Sequence, residues 1–274
     1  MPFPLANLTA RLTMAPVSSH VPVLETRDLT IRFGGHVAVN AVSCAFAAGT
    51  LTAIVGPNGA GKTTYFNLIS GQLRASAGDV LLKGASLLGL PPSARTRAGL
   101  GRAFQLTNLF PNLSVGENVR LAVQARAGVG LDLWRVWSSH RALMDKADAI
   151  LVQVALDAKR DAMAASLPHG DQRKLEVGML LALEPEVFMF DEPTAGMSVN
   201  EVPVILDLIR RIKQDKAKTV LLVEHKMDVV RELADRIIVL HNGTLMADGE
   251  PEAVIASPIV QEAYLGMAPV GEAA

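Results

Sequence analysis

The stretch Gly56-Pro57-Asn58-Gly59-Ala60-Gly61-Lys62-Thr63 constrains this chain more than any other. It has the form G-x-x-x-x-G-K-[ST] of a phosphate-binding loop. Leu51–Val55 before it reads as a buried strand, and Thr64–Ser70 after it as the start of a helix. Glycines let the backbone wrap tightly and turn its N–H groups inward toward an anion, while the helix N-terminus adds the positive end of its dipole. Lys62 can reach the β- and γ-phosphates of a nucleotide, and Thr63 can hold a magnesium ion. The candidate nucleotide contacts are therefore Gly56, Pro57, Asn58, Gly59, Ala60, Gly61, Lys62, Thr63 and Thr64.

The rest of the chain alternates strands and helices around this loop. Val23–Phe33 and Val37–Phe46 read as strands separated by the turn Gly34-Gly35, and Gly78–Gly84 reads as another strand. Pro91-Pro92 opens a helical stretch through Arg97. From about Arg126 to Ser166 the chain is rich in Ala, Leu and charge, with spacings of three and four at Leu143, Ala147, Ile150, Leu151 and Val154. That spacing marks a helical insert. Beyond it, Val187–Phe190 and Thr219–Val223 read as buried strands, Val202–Gln214 and Met227–Ala234 as helices, and Arg236–His241 leads into a hairpin at Asn242-Gly243.

Composition narrows the function. The 274 residues are half hydrophobic, enough for a sizeable core, and the formal charge of −1 gives no electrostatic reason to expect nucleic-acid binding. A single cysteine, Cys44, allows no internal disulfide and fits a reducing compartment such as cytoplasm; its apolar neighbours mark it as core. No window holds 18 consecutive apolar residues, so any membrane association would run through a partner. The richest stretch, Val177–Phe190, is broken by Glu184, Pro185 and Glu186. Residues 1–22 read as a disordered tail, with Met14 as a second candidate start and an amphipathic targeting segment as a third reading.

Four further elements say what happens to a bound nucleotide. The strand Val187–Phe190 delivers Asp191 and Glu192 at its C-terminal edge, where open α/β sheets bind ligands. Asp191 is placed to hold magnesium and Glu192 to act as general base toward an attacking water. Gln105 follows Gly101–Phe104 and can touch both the metal and that water. His225, after the Thr219–Val223 strand, can donate to the γ-phosphate. Leu167-Pro168-His169-Gly170-Asp171-Gln172-Arg173 is a glycine turn into a helix, a second anion-binding helix start.

This order resembles the ATP-binding-cassette ATPase family over Val23 to Gly266. The resemblance implies an α/β P-loop NTPase core with a mixed or parallel sheet, an N-terminal antiparallel β subdomain and an inserted α-helical subdomain, here about 106–184, with short tails at 1–22 and 267–274. It implies that Phe33 stacks on adenine. It makes the turn at 167–173 the signature loop, so that His169, Gly170 and Asp171 face the ATP held by the opposite subunit of a head-to-tail dimer. Ala195-Gly196-Met197-Ser198 matches the loop that crosses the dimer interface. The segments 34–40, 104–110, 113–119, 169–173 and Ala263-Tyr264-Leu265-Gly266 look like one subfamily, the ATPase subunits of bacterial importers for branched-chain amino acids and for urea or short amides.

The resemblance implies ATP and Mg2+ as ligands and a place on the cytoplasmic face of the inner membrane. The implied partners are two integral membrane permease subunits, a second ATPase subunit and, indirectly, a periplasmic substrate-binding protein. Trp134 and Trp137 in the insert read as local core. Pro168 departs from the usual signature serine: it removes a hydroxyl and a backbone N–H, yet suits a first helical turn. An ATPase for lipid or lipopolysaccharide export, and a soluble mechanical ATPase, are the competing readings. The second usually carries a coiled-coil insert or two cassettes, which this chain does not have.

Overall fold

A computed structural model describes residues 22–103, 109–128, 141–197 and 201–265. Strands β1 (Pro22–Phe33) and β2 (His36–Ala47) form a hairpin, followed by β3 (Leu51–Val55), α1 (Lys62–Ser70), β4 (Ala77–Leu82) and β5 (Ala85–Ser86). Then come α2 (Pro92–Ala98), β6 (Leu100–Ala103), α3 (Val115–Ala127), α4 (Arg141–Gln153) and α5 (His169–Ala182). The chain continues through β7 (Val187–Asp191), α6 (Val202–Gln214), β8 (Thr219–Val223), α7 (Met227–Leu233), β9 (Arg236–His241) and β10 (Thr244–Gly249). Two short helices, α8 (Pro251–Ala256) and α9 (Pro258–Leu265), each begin on a proline.

These strands form two sheets. The first is antiparallel, in the order β2-β1-β4-β5; the second runs β10-β9-β3-β8-β7-β6. In the second sheet all neighbours are parallel except β10, which returns antiparallel along β9. Every residue of β3, β7 and β8 is buried, as expected of parallel strands covered on both faces. Their alternation decides what faces what. Phe188 and Phe190 pack with the helical layer of α3, α4 and α5, while Val187 and Met189 pack toward α1 and the antiparallel sheet. Asp191 continues the second set, so its carboxylate points to the α1 side.

Helix α1 lies between the two sheets. Tyr65, Phe66, Leu68 and Ile69 are all 1% exposed or less, and burying each such side chain contributes about 1.5–3 kcal/mol. The Tyr65 hydroxyl shares a 2.8 Å hydrogen bond with Thr26 Oγ1, which also accepts from the Cys44 N–H at 3.1 Å. This relay ties the phosphate-loop helix to β1 and β2. Burial pushes the Cys44 thiol up to about 11, so it is the inert core cysteine its neighbours suggested.

In the insert, α4 presents Ala147, Ile150 and Leu151 to the core, as its spacing required, with Leu143 packed at the margin. The sequence reading assigned no separate helix to Val115–Ala127. Its start is a capping box: Ser114 Oγ accepts from the Glu117 N–H at 3.2 Å and Glu117 Oε2 from the Ser114 N–H at 2.9 Å. The C-terminal helices α8 and α9 were likewise not foreseen. The tail 1–21, residues 267–274, Trp134, Trp137, Gln105 and Ser198 lie outside the described residues.

Candidate active site

The phosphate loop runs from the end of β3 into α1. Gly56 has φ 149° and Gly61 φ 95°, conformations that residues with side chains rarely adopt. A Cβ on Gly56 would collide with the Leu240 carbonyl oxygen, and one on Gly61 would stand 2.5 Å from that of Ala38. β9 and β2 therefore back the loop closely. The tip of the β9–β10 hairpin closes it: the Gly243 N–H donates to Ala60 O at 3.0 Å, and the Asn40 N–H to Gly243 O at 2.8 Å. On the other side Asn58 and Gly59 are exposed, and a Cβ on Gly59 would meet nothing within 4 Å. A tightly backed loop with an open mouth at a helix N-terminus fits a phosphate chain.

Lys62 spans the loop, its Nζ donating to Gly56 O at 2.7 Å and Pro57 O at 2.9 Å. Burial pulls its pKa down, while the carboxylates of Glu192 and Asp191 push it up, so loop and acidic pair share one electrostatic site. Thr63 and Thr64 are half-buried in the first turn of α1. Among the described residues no three His, Cys, Asp or Glu side chains cluster as metal ligands. Thr63 and Asp191 nonetheless fit Mg2+, which is commonly held by one or two protein oxygens with phosphate and water completing its shell.

Asp191 is buried, and its Oδ2 accepts from the guanidinium of Arg102 at 2.7 Å. Burial raises its pKa and Arg102 opposes that rise. Glu192 has φ 50°, strained for a residue with a side chain and of the kind that clusters at functional sites. Its N–H donates to Val223 O at 2.9 Å, and its Oε1 lies 2.6 Å from His225 Nε2. Two residues that the sequence reading gave separate roles, 33 residues apart, thus meet directly. Beneath them the buried Glu224 organises both turns. It accepts from Thr194 Oγ1 at 2.6 Å, from the His225 N–H at 2.9 Å and from the Lys226 N–H at 3.3 Å.

The signature turn opens α5. Pro168 precedes it with φ −55° and contributes no side-chain cap. Pro168 and His169 are exposed; Gly170 is buried, and a Cβ there would collide with the Glu201 carboxylate. Asp171 is engaged by Lys174 at 2.8 Å and by Lys159. Burial raises the Asp171 pKa, and these two lysines outweigh it, leaving the carboxyl below its ordinary range. The negative charge of Asp171 is thus balanced within the helical layer. His169 Cε1 would lie 3.5 Å from a Cβ on Gly196, which places the 193–197 turn against the signature turn.

Phe33 ends β1 with half its surface exposed, on the hairpin whose second strand backs Gly61. The structure brings together Lys62, Asp191, Glu192 and His225, while His169, Gly170 and Asp171 form a separate place at the start of α5. Sequence reasoning missed Arg102 and the role of Glu224. Arg102 belongs to no spaced motif; its one signal is a lone charge in the apolar stretch before Gln105.

Comparison with known proteins accords with this geometry. The ABC transporter family model matches residues 39–195. LivG, the high-affinity branched-chain amino acid transport ATP-binding protein of Escherichia coli K12, is 37% identical over 252 residues, 90% of this chain and 99% of the relative. BraF of Pseudomonas aeruginosa, a protein of the same description, is 36% identical with the same coverage. A solved ATP-binding cassette of an ABC transporter, in its ADP conformation, matches with a TM-score of 0.77 and 28% identity, covering 90% of this chain and 100% of that one. With its loop, acidic strand end and signature turn in one frame, the chain belongs to the ABC transporter family as a nucleotide-binding, ATP-hydrolysing cassette.

Proposed function

We propose that this chain is the ATPase subunit of an importer for branched-chain amino acids. The observation that supports it most is the end-to-end match to LivG, which spans 99% of that relative. Branched-chain amino acids are favoured over urea or short amides because the LivG and BraF relatives carry that description. The cassette would occupy 23–266, with its helical insert at about 106–184. Among the described residues no helix is long and apolar enough to cross a membrane. In this reading the chain sits on the cytoplasmic face of the inner membrane, against two permease subunits and beside a second ATPase subunit, with a periplasmic binding protein delivering substrate.

In this reading Phe33 stacks on adenine, and the loop N–H groups and Lys62 bind the phosphates. Mg2+, when bound, neutralises charge on the phosphate oxygens, and Thr63, Asp191 and Gln105 are the residues that would hold it. Glu192 takes the proton of the attacking water while His225 holds its carboxylate. His169 and Gly170 serve the nucleotide of the partner subunit. Closure of the dimer then follows from differential affinity, since ATP bridges both halves and ADP does not. The test is uptake into vesicles holding the chain, its permease subunits and its binding protein. Leucine uptake that needs ATP supports the proposal; uptake of urea without leucine would contradict it.

A further inference from the structure

Arg102 is the most heavily engaged charged side chain near the site, and neither the nucleotide contacts nor the proton transfer uses it. Its NH2 donates to Asp191 Oδ2 at 2.7 Å, with only 7% of its side chain and 5% of the aspartate's exposed. Its NH1 donates to Asn67 Oδ1 at 2.6 Å, to Ser70 Oγ at 2.7 Å and, more weakly, to Gln72 Oε1 at 3.4 Å. The guanidinium carbon lies 5.3 Å from the centre of the Phe66 ring. One side chain on β6 thus joins the end of β7 to the helix that follows the phosphate loop. Asp191 Oδ1 accepts no hydrogen bond among the described residues.

We propose that Arg102 is a positioning residue of the ATPase site: it locks the Asp191 carboxylate to α1 through Oδ2 and leaves Oδ1 directed to the metal side. This rests on the reading of Asp191 as a carboxylate that holds Mg2+. The physical logic is that of outer-shell partners, which orient a metal's ligands and hold them charged. Arginine suits the task because its planar fork bonds several acceptors at once, which a lysine cannot reproduce. A buried charge pair is a weak source of stability beside a well-packed apolar pair, so its presence here calls for another role.

The test compares binding of a non-hydrolysable ATP analogue, with Mg2+ and with EDTA, in the full-length wild type, Arg102→Lys, Arg102→Met and Asp191→Asn. The expected result is that Arg102→Lys keeps the EDTA affinity and loses about 10- to 100-fold of the gain that Mg2+ confers. Asn67→Ala, which removes one anchor of the fork, loses part of that gain and serves where Arg102→Met does not fold. An unchanged Mg2+ gain in Arg102→Lys, with a lowered Tm, would reduce Arg102 to a structural pair and overturn the proposal. If Asp191→Asn keeps the full gain, the reading of Asp191 itself fails; if only Asp191→Asn loses it, the Arg102 proposal alone fails.

Discussion

The phosphate loop and the signature turn each present the start of a helix, and they are supported in contrasting ways. The loop is backed by this chain's own backbone, with the Leu240 and Ala38 carbonyls behind its glycines and Gly243 bonded to Ala60, and a single side chain, Lys62, bridges its carbonyls. The turn is held from below by side chains, with Asp171 bonded to Lys159 and Lys174, and its outer end is exposed Pro168 and His169 without a capping side chain. A site that one chain completes is braced by backbone. A surface that another subunit would complete is left open at its tip and anchored at its root.

That contrast can be broken at several strengths. The largest effect should come from Glu192→Gln, which keeps ATP binding and lowers turnover by about 10²–10⁴-fold, read as steady-state phosphate release. Lys62→Ala should weaken nucleotide binding by about 1.5–3 kcal/mol, roughly 10- to 100-fold, measured by titration of the isolated chain. It removes both a phosphate donor and the bridge across the loop, so binding falls where Glu192→Gln leaves it intact.

Smaller effects probe the turn. The folded-state pKa of Asp171 lies below its ordinary value, so its contribution to stability is present above ~3.9 and is lost as pH falls through the folded value. Asp171→Asn should therefore lower Tm modestly at neutral pH, and the gap from wild type should close on acidification. A gap independent of pH would show that the two lysines do not stabilise the turn through charge. Pro168→Ser, the smallest change, should not lower turnover, because it restores a hydroxyl and an N–H at an exposed helix start; a clear loss of ATPase activity would refute this view of the position.

The loop was legible because its spacing and its flanks both had to be right, and a strand, a turn and a helix start all lie within about twenty residues. Asp191-Glu192 and His225 were legible as strand ends. Arg102 was not, because its partners Asn67, Ser70 and Asp191 are 32 to 89 residues away, and no local spacing encodes a contact made across two strands and a helix. Glu224 was noticed only as the neighbour of His225; its bond to Thr194 crosses from β8 to the turn after β7. Helix α3 was not legible either, because Gly116 weakens the helical signal in its first turn and the polar Asn118 interrupts its buried face of Val115, Val119, Ala122 and Val123.

The most direct test of the contrast is Gly170→Ala, with nucleotide affinity measured on the isolated chain and turnover on the complete transporter. Gly170 lies in ordinary helical backbone, so an alanine Cβ there displaces the flexible end of Glu201 and leaves the phosphate loop untouched. The prediction is an affinity equal to wild type and turnover reduced by about 10- to 100-fold, the cost of misplacing a group at a reacting centre. A matching loss of affinity in the isolated chain would mean that the turn serves its own loop, and would contradict the division between a self-contained half and a half completed by its partner.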